Sequence, residues 1–550
     1  MKLNSIKYIA IAGIVALTSC DDFLDKVPDN RVELSTPDQL TQLLVNAYNT
    51  YNYSTVCELS GDNYIDNNSP DKDGVRYNLA VSSIADLEAF CWEDIVSSVS
   101  QDSPSSIWQG CYHSIAVCNA VLERVAELEA EGRGDEVSAQ KGEALVSRAY
   151  HHFILANIFS MPYAGDAASE AIPSVPYMTK SEDKVLVHYD RESLASVYRK
   201  IEADIVDGLP LIDDSNYEVP KYHFNKKAAN AFAARFYLYK RDYEKAEAHA
   251  TEALGGATGN PAGMMRQFWA KTFTTYNALV SAYCSAEEQS NLLIMPTYSS
   301  FSRSRGRFAT NREAADATIF GKGPTWNIYN FHPCYSGKLF LAGSINYGVF
   351  FPKAGELFEY TDKVAGIGYI HIMRCEFTAE EAILTRAEAR FYQGNIAGGM
   401  EDLRIWDKSR QNVSMAVSFP EFTEERLKTF YAEEAVEGIV QPLYIDEICP
   451  SDKYALTDDI LPYIQCVLHF RRIETIDDGL RWFDIKRYGI EVTHKIGANR
   501  VEFLSKHDAR RAIQVPAEVI SAGFEPNIRV NLPAEEGKYS PVTTPYLTKK

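Results

Sequence analysis

One segment of the chain, NAFAARFYLYKRDYEKAEAHATEAL at 230–254, limits the possible folds more than any other. Ala234 is small and stands where a first helix would approach a neighbouring helix closely, and Tyr237 follows three residues later. Asp242 and Tyr243 then interrupt the helical pattern as a turn. A second helix follows, and its face of small residues consists of Ala246, Ala250 and Ala253. The segment therefore predicts two short helices that pack closely across a tight turn.

A second segment, AILTRAEARFYQGNIAGGMEDLRIW at 382–406, repeats this pattern, with its turn at Gly394 and Asn395. The close-packing positions of its second helix are Gly399, Leu403 and Trp406. Both segments resemble the 34-residue tetratricopeptide (TPR) repeat, although Arg241 stands where the first turn would usually have glycine. Because such a helix pair cannot bury its apolar face alone, the resemblance implies that several pairs stack.

Helix start and stop signals occur along most of the remaining chain. Ser35 or Thr36 is the predicted N-cap of a helix that has Pro37 at its first position. Asp190 is the predicted cap of a later helix. Predicted helix ends lie at Gly132, Pro162 and near Gly208. These signals predict a mainly α-helical protein, with a TPR-like scaffold over about 35–260 and 371–490.

The stretch from about 261 to 370 has a different character. It is rich in glycine and aromatic residues, and segments such as GKGPTWNIYNFHPCYSGK show turn chemistry without a sustained helical period. Long irregular excursions from a compact scaffold are usually functional loops or disorder, and so many aromatic residues argue against disorder. We therefore expect a loop-rich lobe here, and an extended tail over about 491–550, within one unit that spans 20–550.

The N-terminus predicts export. Lys2 and Lys7 carry positive charge before an apolar run at 8–17, which is shorter than the roughly 20 residues of a membrane-spanning helix. The letters LTS precede Cys20, as in a bacterial lipobox, where the cysteine becomes the lipid-bearing first residue of the mature chain. The interpretation is a lipoprotein signal peptide at 1–19 with lipidation at Cys20. The alternative is an ordinary cleavage site beside a chance cysteine.

The charge of the chain excludes some partners. The formal net charge is −20, whereas nucleic-acid-binding proteins present a basic face. Electrostatic attraction to anionic lipid is equally disfavoured, so membrane contact is predicted through the lipid anchor only.

Catalytic and metal-binding patterns are missing from the sequence. The ten cysteines include no CxxC pair, and removing Cys20 leaves nine, which we interpret as mostly small buried residues rather than a disulfide framework. His151 and His152 are adjacent, so on a helix they cannot form the i, i+4 pair of a zinc helix, and we interpret them as packing or surface residues. The sequence thus predicts no enzyme activity, no metal site and no cofactor.

Several segments in a fixed order carry a family resemblance. DDFLDKVP follows the lipobox, and then come KGEALVSRAYHHFILANIFSMPY and FNKKAANAFAARFYLYKRDYEKA. IMRCEFTAEEAILTRAEARFYQGNIAGGMEDLRIWDKSRQ is next, and FRRIETIDDGLRWFDIKRYG precedes AIQVPAEVISAGFEPNI. In order and spacing these segments resemble the SusD/RagB family, the starch-utilisation-system D type lipoproteins of Bacteroidetes.

The resemblance implies a surface-exposed outer-membrane lipoprotein that captures a nutrient, usually an oligosaccharide, for a SusC-like TonB-dependent transporter. Asp21 and Asp22 directly after the cysteine are similar to surface-export signals of that phylum. The implied fold is a TPR-like helical scaffold with a loop-rich lobe that holds the ligand site. Two alternatives stay open: a peptide-binding member of the same family, and a TPR-like assembly scaffold whose only ligand is a protein.

Candidate ligand-binding residues follow from the chemistry of sugars. Aromatic rings offer flat surfaces for the C–H faces of a sugar, and neighbouring polar side chains can bond its hydroxyls. Rings in loops fit this role better than rings on helix stripes, although each ring could instead be a core residue. The candidates are Tyr64, Arg76, Trp92, Tyr298, Trp326, Tyr329, Asn330 and Tyr335.

Two charged segments allow more than one interpretation. Arg303, Arg305, Arg307 and Arg312 crowd ten residues of an acidic chain. They could bind an anionic glycan, or they could be loop arginines that pair with local acids. In the segment GLRWFDIKRYG, Gly479 permits a turn and Trp482 and Phe483 can anchor a core. Asp484 could pair with Arg481, Lys486 or Arg487, which predicts a structural clamp.

Overall fold

A computed structural model provides the structure of the protein. It describes residues 34–48, 51–71, 73–76, 79, 83–182, 188–268, 271, 273–303, 306–326, 340–341, 349–351, 353–411, 418–432, 438–531 and 542–543.

The described chain is mainly α-helical, which confirms the predicted fold class. The helices before the loop-rich stretch are α1 Pro37–Leu44, α2 Ser54–Ser60, α3 Ile84–Phe90, α4 Pro104–Ala130, α5 Ser138–Phe159, α6 Asp166–Ser169, α7 Leu194–Gly208, α8 Lys226–Lys240 and α9 Tyr243–Ala253. Those within and after it are α10 Pro261–Met264, α11 Tyr276–Tyr283, α12 Arg312–Ala317, α13 Ala379–Tyr392, α14 Ile396–Arg410, α15 Glu424–Ala432, α16 Ile445–Ile448, α17 Leu461–Glu474, α18 Leu480–Tyr488 and α19 Ala517–Ser521.

Among the described residues most strands are short, and they form five separate sheets. They are β1 Ile65–Asp66, β2 Asn291–Tyr298, β3 Phe308–Ala309, β4 Phe340–Leu341, β5 Val349–Phe350, β6 Glu356–Asp362, β7 Ile367–Thr378, β8 Val492–Ile496, β9 Arg500–Leu504, β10 Val530–Asn531 and β11 Val542–Thr543. One sheet has three antiparallel strands in the order β2–β7–β6. The others pair β1 with β3, β4 with β5, β8 with β9 and β10 with β11. The three-stranded sheet is the largest of these sheets.

Helix boundaries follow the capping signals of the sequence with one exception. Thr36 caps α1 in a capping box with Gln39, as predicted. The cap of α7 is Ser193, whose hydroxyl accepts a hydrogen bond from the Ser196 backbone N–H, so the prediction of Asp190 was wrong. Both residues can cap, but the helix begins three residues later, where Leu194 is the first residue whose side chain enters the core.

The two TPR-like helix pairs are α8 with α9 and α13 with α14. Arg241 lies in the turn of the first pair and adopts a left-handed conformation at φ 60°, which costs energy for a residue with a side chain. Its guanidinium donates hydrogen bonds to the carbonyl oxygens of Cys449 and Tyr454, and these contacts offset that cost. The second pair has Gly394 at the equivalent place, at φ 77°, where no such compensation is needed.

Arg235 connects the two TPR-like helix pairs through buried ion pairs. Its Nε donates to Glu381 Oε1 at 2.8 Å and its Nη1 donates to Glu376 Oε1 at 2.7 Å. The guanidinium also lies 4.1 Å from the ring centroid of Phe377. Arg235 is only 1% exposed, so α8, β7 and α13 are held together by an ion-pair network inside the core.

The segment around α18 is a structural clamp, in which one of the three predicted partners of Asp484 pairs with it. Trp482 and Phe483 are buried, as expected of a core anchor. Asp484 accepts from Arg487 at 2.9 Å and from Arg471 of α17 at 3.1 Å, and the prediction of Arg487 is thus confirmed.

Arg481 and Lys486 do not pair with Asp484 but have other partners. Arg481 donates two hydrogen bonds to the Asp62 carboxylate, at 2.9 and 2.8 Å. Lys486 donates to the carbonyl oxygens of Asn157 and Ser160, because its side chain is directed towards the end of α5. The clamp therefore connects α18 to three separate parts of the scaffold.

The adjacent histidines and the described cysteines lie in the interior. His151 lies 2.8 Å from the Tyr51 hydroxyl through Nδ1, and His152 accepts from the Met178 backbone N–H. They are packing residues, which was one of the two predicted roles. Eight cysteines lie in the described residues as buried free thiols: Cys57, Cys91, Cys111, Cys118, Cys284, Cys375, Cys449 and Cys466.

Candidate functional site

The candidate site is a cleft of about 850 Å³ between α11 and the three-stranded sheet, which we call the sheet cleft. Its helix wall includes Tyr276, Asn277, Val280 and Ser281, its floor includes Leu357 and Met373 of the sheet, and Tyr222 and Glu356 lie at its edges. The cleft lies in the loop-rich lobe and combines apolar surface with polar side chains. This volume and composition suit a small ligand or one segment of a longer one.

Local hydrogen bonds fix the two walls relative to each other. Thr275 caps α11 by accepting from the Ala278 backbone N–H at 3.1 Å. At the other end, the Asn291 amide donates to the carbonyl oxygens of Tyr283 and Ser285, so the end of α11 is tied to the first residue of β2.

Gly355 lets the helix wall approach the sheet. A Cβ atom at this position would collide with the side chain of Val280 in α11. Glycine before β6 therefore leaves room for the Val280 side chain between the helix wall and the sheet.

One face of the sheet continues from the cleft into an open row of side chains. Tyr298 of β2 and Leu357 of β6 both pair with His371 of β7, so these three side chains form one row. Met373 lies two residues along β7 on the cleft side, and Tyr369 lies two residues along it on the outer side. The floor of the cleft is therefore continuous with an aromatic surface.

The side chains of this aromatic surface contact one another. The ring centroid of Tyr298 lies 4.1 Å from that of His371 and 5.6 Å from that of Tyr369. His371 Nε2 lies 2.9 Å from the Glu359 carboxylate. Tyr369 is 53% exposed and Tyr298 is half-buried, so the surface is both supported from below and open to solvent.

Burial and a neighbouring carboxylate keep the Tyr298 phenol neutral. Burial, followed by the charge of Glu359, raises the pKa of Tyr298 above its usual value of 10.0. At neutral pH the phenol therefore keeps its proton and can donate a hydrogen bond. A flat ring with a polar edge, beside a carboxylate and an imidazole, can stack against a sugar and bond its hydroxyl groups.

Of the ring candidates, Tyr298 lies on this surface, whereas Trp92 and Trp326 are buried. Trp92 Nε1 donates to the Ser60 carbonyl oxygen at 2.9 Å, and its ring stacks on His494 at 4.3 Å. Trp326 Nε1 donates to the Gly321 carbonyl oxygen at 2.9 Å, and the residue is 4% exposed. Core packing, the alternative left open for each ring, describes the position of both tryptophans.

Tyr64 is buried beside a second, smaller cleft of about 460 Å³. Its hydroxyl donates to Asp477 at 3.0 Å, while Phe90 in the same wall is packed against His494. Polar side chains such as Lys495 line this cleft, but its rings have little exposed surface. It therefore suits stacking less well than the sheet cleft.

A third cavity, of about 650 Å³, lies between α4 and the segment at 519–524. Its lining includes Trp108, Tyr112 and Phe524, whose rings pack against one another. A larger share of its lining surface is apolar than in the sheet cleft.

The remaining candidates are dispersed. Arg76 is exposed and its Nε donates to the Asn68 carbonyl oxygen at 2.7 Å, away from the sheet cleft. Tyr329, Asn330, Tyr335, Arg305 and Cys20 lie outside the described residues.

The described arginines of the cluster each pair with a nearby acid. Arg307 makes two hydrogen bonds to Asp66, at 2.7 and 2.6 Å. Arg312 pairs with Asp316 at 2.9 Å, and Arg303 pairs with Glu356 at the edge of the sheet cleft. This arrangement fits the alternative of arginines paired with local acids, so an anionic ligand is not needed to explain them.

Sequence reasoning missed Tyr369 and Leu357, although a signal for the first exists. The letters IGYIHIM at 367–373 alternate Ile, Tyr, His and Met at every second position, which is typical of one strand face. Leu357 has no such signal, because its place in the row depends on the register of β6 against β7.

No group of His, Cys, Asp or Glu side chains among the described residues could hold a metal ion. Within the same residues, no helix has both the length and the apolar character needed to cross a membrane.

Comparisons with known proteins give a consistent result. A family model for SusD-like proteins, described as starch-binding and associating with the outer membrane, matches residues 22–238. No protein with a curated description matches the sequence significantly.

Three solved structures share the fold. A SusD superfamily protein from Bacteroides vulgatus has a TM-score of 0.57 and 16% identity, covering 90% of this chain and 98% of its own. One from Bacteroides fragilis has a TM-score of 0.56 and 15% identity, covering 89% and 98%. A SusD-like carbohydrate-binding protein from Bacteroides vulgatus has a TM-score of 0.52 and 16% identity, covering 86% and 89%.

The sequence match and the shared fold confirm the family resemblance that the order and spacing of the segments predicted. The shared fold covers most of the chain, which includes the helical scaffold with its TPR-like pairs and the lobe between the two pairs. Over residues 22–238 the sequence is similar to SusD-like proteins, and the fold is the one that the SusD superfamily structures share.

Proposed function

We propose that this protein binds a carbohydrate in the sheet cleft while it is anchored to the outer membrane. The observation that carries the proposal is the row of side chains around Tyr298, His371 and Tyr369, which presents open aromatic surface beside polar groups. The description of the matching family and the name of the third solved structure, which refers to carbohydrate, support the ligand class.

The chemistry of the cleft suits a neutral sugar chain. A sugar ring can lie against Tyr369 and Tyr298 through its C–H face, while Glu359 accepts hydrogen bonds from hydroxyl groups. Asn277 and Ser281 are exposed on the helix wall and can bond further hydroxyls deeper in the cleft. We infer a ligand of several sugar units, because the aromatic surface and the cleft lie in sequence along one sheet face.

The proposal includes the anchor and the transporter. Lipid on Cys20 would hold the protein at the outer face of the outer membrane, and the bound oligosaccharide would pass to a SusC-like TonB-dependent transporter. We propose binding without catalysis, so a bound oligosaccharide should be recovered unchanged. A peptide ligand and a pure scaffold role remain as the two alternative outcomes of the tests below.

The first test replaces Tyr369 by alanine. Loss of one stacking contact should cost roughly 1–3 kcal/mol of binding free energy, which raises the dissociation constant about 5- to 150-fold. Isothermal titration with maltoheptaose, followed by an array of plant and host glycans, measures the effect. The melting temperature should stay unchanged, because Tyr369 is more than half exposed.

A matched control lies on the other face of the hairpin that β6 and β7 form. Tyr360 is 52% exposed, pairs with Gly368, and points away from the row of Tyr298 and His371. Tyr360→Ala should leave the affinity unchanged. Equal losses for both variants, or a loss for Tyr360→Ala alone, would contradict the placement of the site, and binding of peptides in place of glycans would favour the first alternative.

The second test concerns the anchor. Cys20→Ala should abolish lipid attachment and release the protein from the outer membrane, whereas Cys57→Ala, which changes a buried cysteine, should not. Labelling with radioactive palmitate and membrane fractionation measure both variants. Palmitate that still labels the Cys20→Ala protein would contradict the lipoprotein assignment.

A further inference from the structure

Two of the buried cysteines, Cys284 and Cys375, lie side by side beneath the sheet cleft. Cys284 follows the last residue of α11, and Cys375 lies in β7. The Cys284 thiol donates to the Met373 carbonyl oxygen at 3.3 Å, and the Cys375 thiol donates to the Tyr283 carbonyl oxygen at 3.7 Å. Each thiol therefore reaches the backbone beside the other cysteine.

The environment of the pair is a small apolar cluster. Phe268, Leu279 and Ile294 pack around the two thiols, which are 8% and 9% exposed. A hydrogen bond with the Cys375 thiol, together with burial, raises the pKa of the Cys284 thiol well above its usual range. In the closed cluster the Cys284 thiol is thus protonated and slow to react, so any bond to Cys375 must form before the cluster closes.

We propose that Cys284 and Cys375 are joined by a disulfide in the exported protein. The proposal rests on the export proposed above, because disulfides form and persist outside the reducing cytoplasm. It goes beyond sugar binding, since it assigns a covalent modification to the lobe that holds the cleft.

The chemistry is a thiol–disulfide exchange with an oxidising protein disulfide. One thiol loses its proton, and the thiolate attacks the oxidant to form a mixed disulfide while the oxidant's other sulfur leaves as a thiolate. The second cysteine then loses its proton and displaces the remaining oxidant sulfur. An S–S bond forms between Cys284 and Cys375, and the oxidant gains two electrons and two protons and becomes a dithiol.

The bond would connect the two walls of the sheet cleft. Cys284 belongs to the end of the helix wall, and Cys375 lies two residues from Met373 of the floor. The bond would also close a long loop that contains β2, β6 and the first part of β7. A long closed loop strongly restricts the conformations of the unfolded chain. Reduction should therefore loosen the lobe that carries the aromatic surface.

Peptide mapping tests the bond directly. The protein is taken from outer membranes of the native host, alkylated without reduction, and digested with trypsin. The expected result is one cross-linked species that contains peptides 272–303 and 375–386, each of which has a single cysteine. Reduction should separate the two peptides and lower the melting temperature by several degrees.

Variants and a cell-free experiment separate this proposal from that of export. Cys284→Ser should remove the cross-linked species and the sensitivity of the melting temperature to reductant, whereas Cys111→Ser should change neither. Protein refolded with oxidised glutathione should form the same bond, whatever its location in the cell. If both cysteines are alkylated in that refolded protein, the proposal is overturned. If the refolded protein has the bond but both cysteines are alkylated in protein from the host, the bond does not form in the cell.

Discussion

Replacing Arg235 by alanine is expected to lower the free energy of unfolding by about 3–5 kcal/mol, because it removes one partner from a buried ion-pair network. Glu381 would lose two charge-assisted hydrogen bonds in a place that water does not reach. Glu376 would keep Arg374 and Tyr53 as partners, so it would be left only partly compensated. Chemical denaturation followed by circular dichroism measures the change.

The charge state of Glu376 explains why this loss should persist at mildly acidic pH. Burial opposes ionisation, but Arg374 and Arg235 outweigh it and lower the pKa of Glu376 to about 2. A depressed pKa stabilises the fold above the carboxyl's ordinary value, and this contribution is lost only as the pH falls through about 2. The variant should therefore be less stable than the wild type at pH 5 as well as at pH 7.

Two further variants test whether the loss of stability comes from the buried ion pairs. Arg133→Ala removes an exposed ion pair with Glu136 and should change stability far less. Arg235→Met combined with Glu381→Gln leaves fewer unpaired charges than Arg235→Ala, so part of the lost stability should return. Equal effects of Arg235→Ala and Arg133→Ala would show that the network contributes little.

Replacing Trp326 by alanine is expected to cost about 3–5 kcal/mol of stability and to leave glycan affinity unchanged. The indole packs against His469 and Phe470 of α17, and truncation would leave a cavity in that contact. The hydrogen bond from Nε1 would also be lost, so the Gly321 carbonyl oxygen would have no donor in its place.

Thermal melting and calorimetric titration of the same Trp326→Ala protein distinguish its two possible roles. A melting temperature lowered by several degrees with unchanged affinity indicates a core residue. An unchanged melting temperature with weakened binding would return Trp326 to the ligand site, as its loop-rich sequence context first suggested.

The helical part of this protein could be predicted from the sequence because its signals are local. The capping box at Thr36 and the turn at Gly394 each depend on residues only a few positions apart. The pairing of Asp484 with Arg487 likewise joins residues three positions apart. Its second partner, Arg471, lies in another helix and has no local signal.

The candidate site was harder to predict because burial is set by distant residues. Trp92 is buried against His494, and Tyr64 bonds Asp477, in each case across more than 400 positions of the chain. Nothing in the neighbouring letters distinguishes these rings from Tyr298, which stays half-exposed. Loop context indicates where aromatic residues gather, but not which of them face solvent.

The pairing of β2 with β7 has a consequence for how proteins of this kind can diversify. Asn291 of the lobe pairs with Thr378, which lies just beyond the end of the lobe, and further along the chain Arg390 of α13 bonds Glu247 of α9 at 2.8 Å. The chain thus leaves and re-enters the scaffold at neighbouring points. Doubling the length of such an insertion costs only about 0.6 kcal/mol of closure entropy. The lobe can therefore change in length at little cost in folding free energy while the helical frame stays the same.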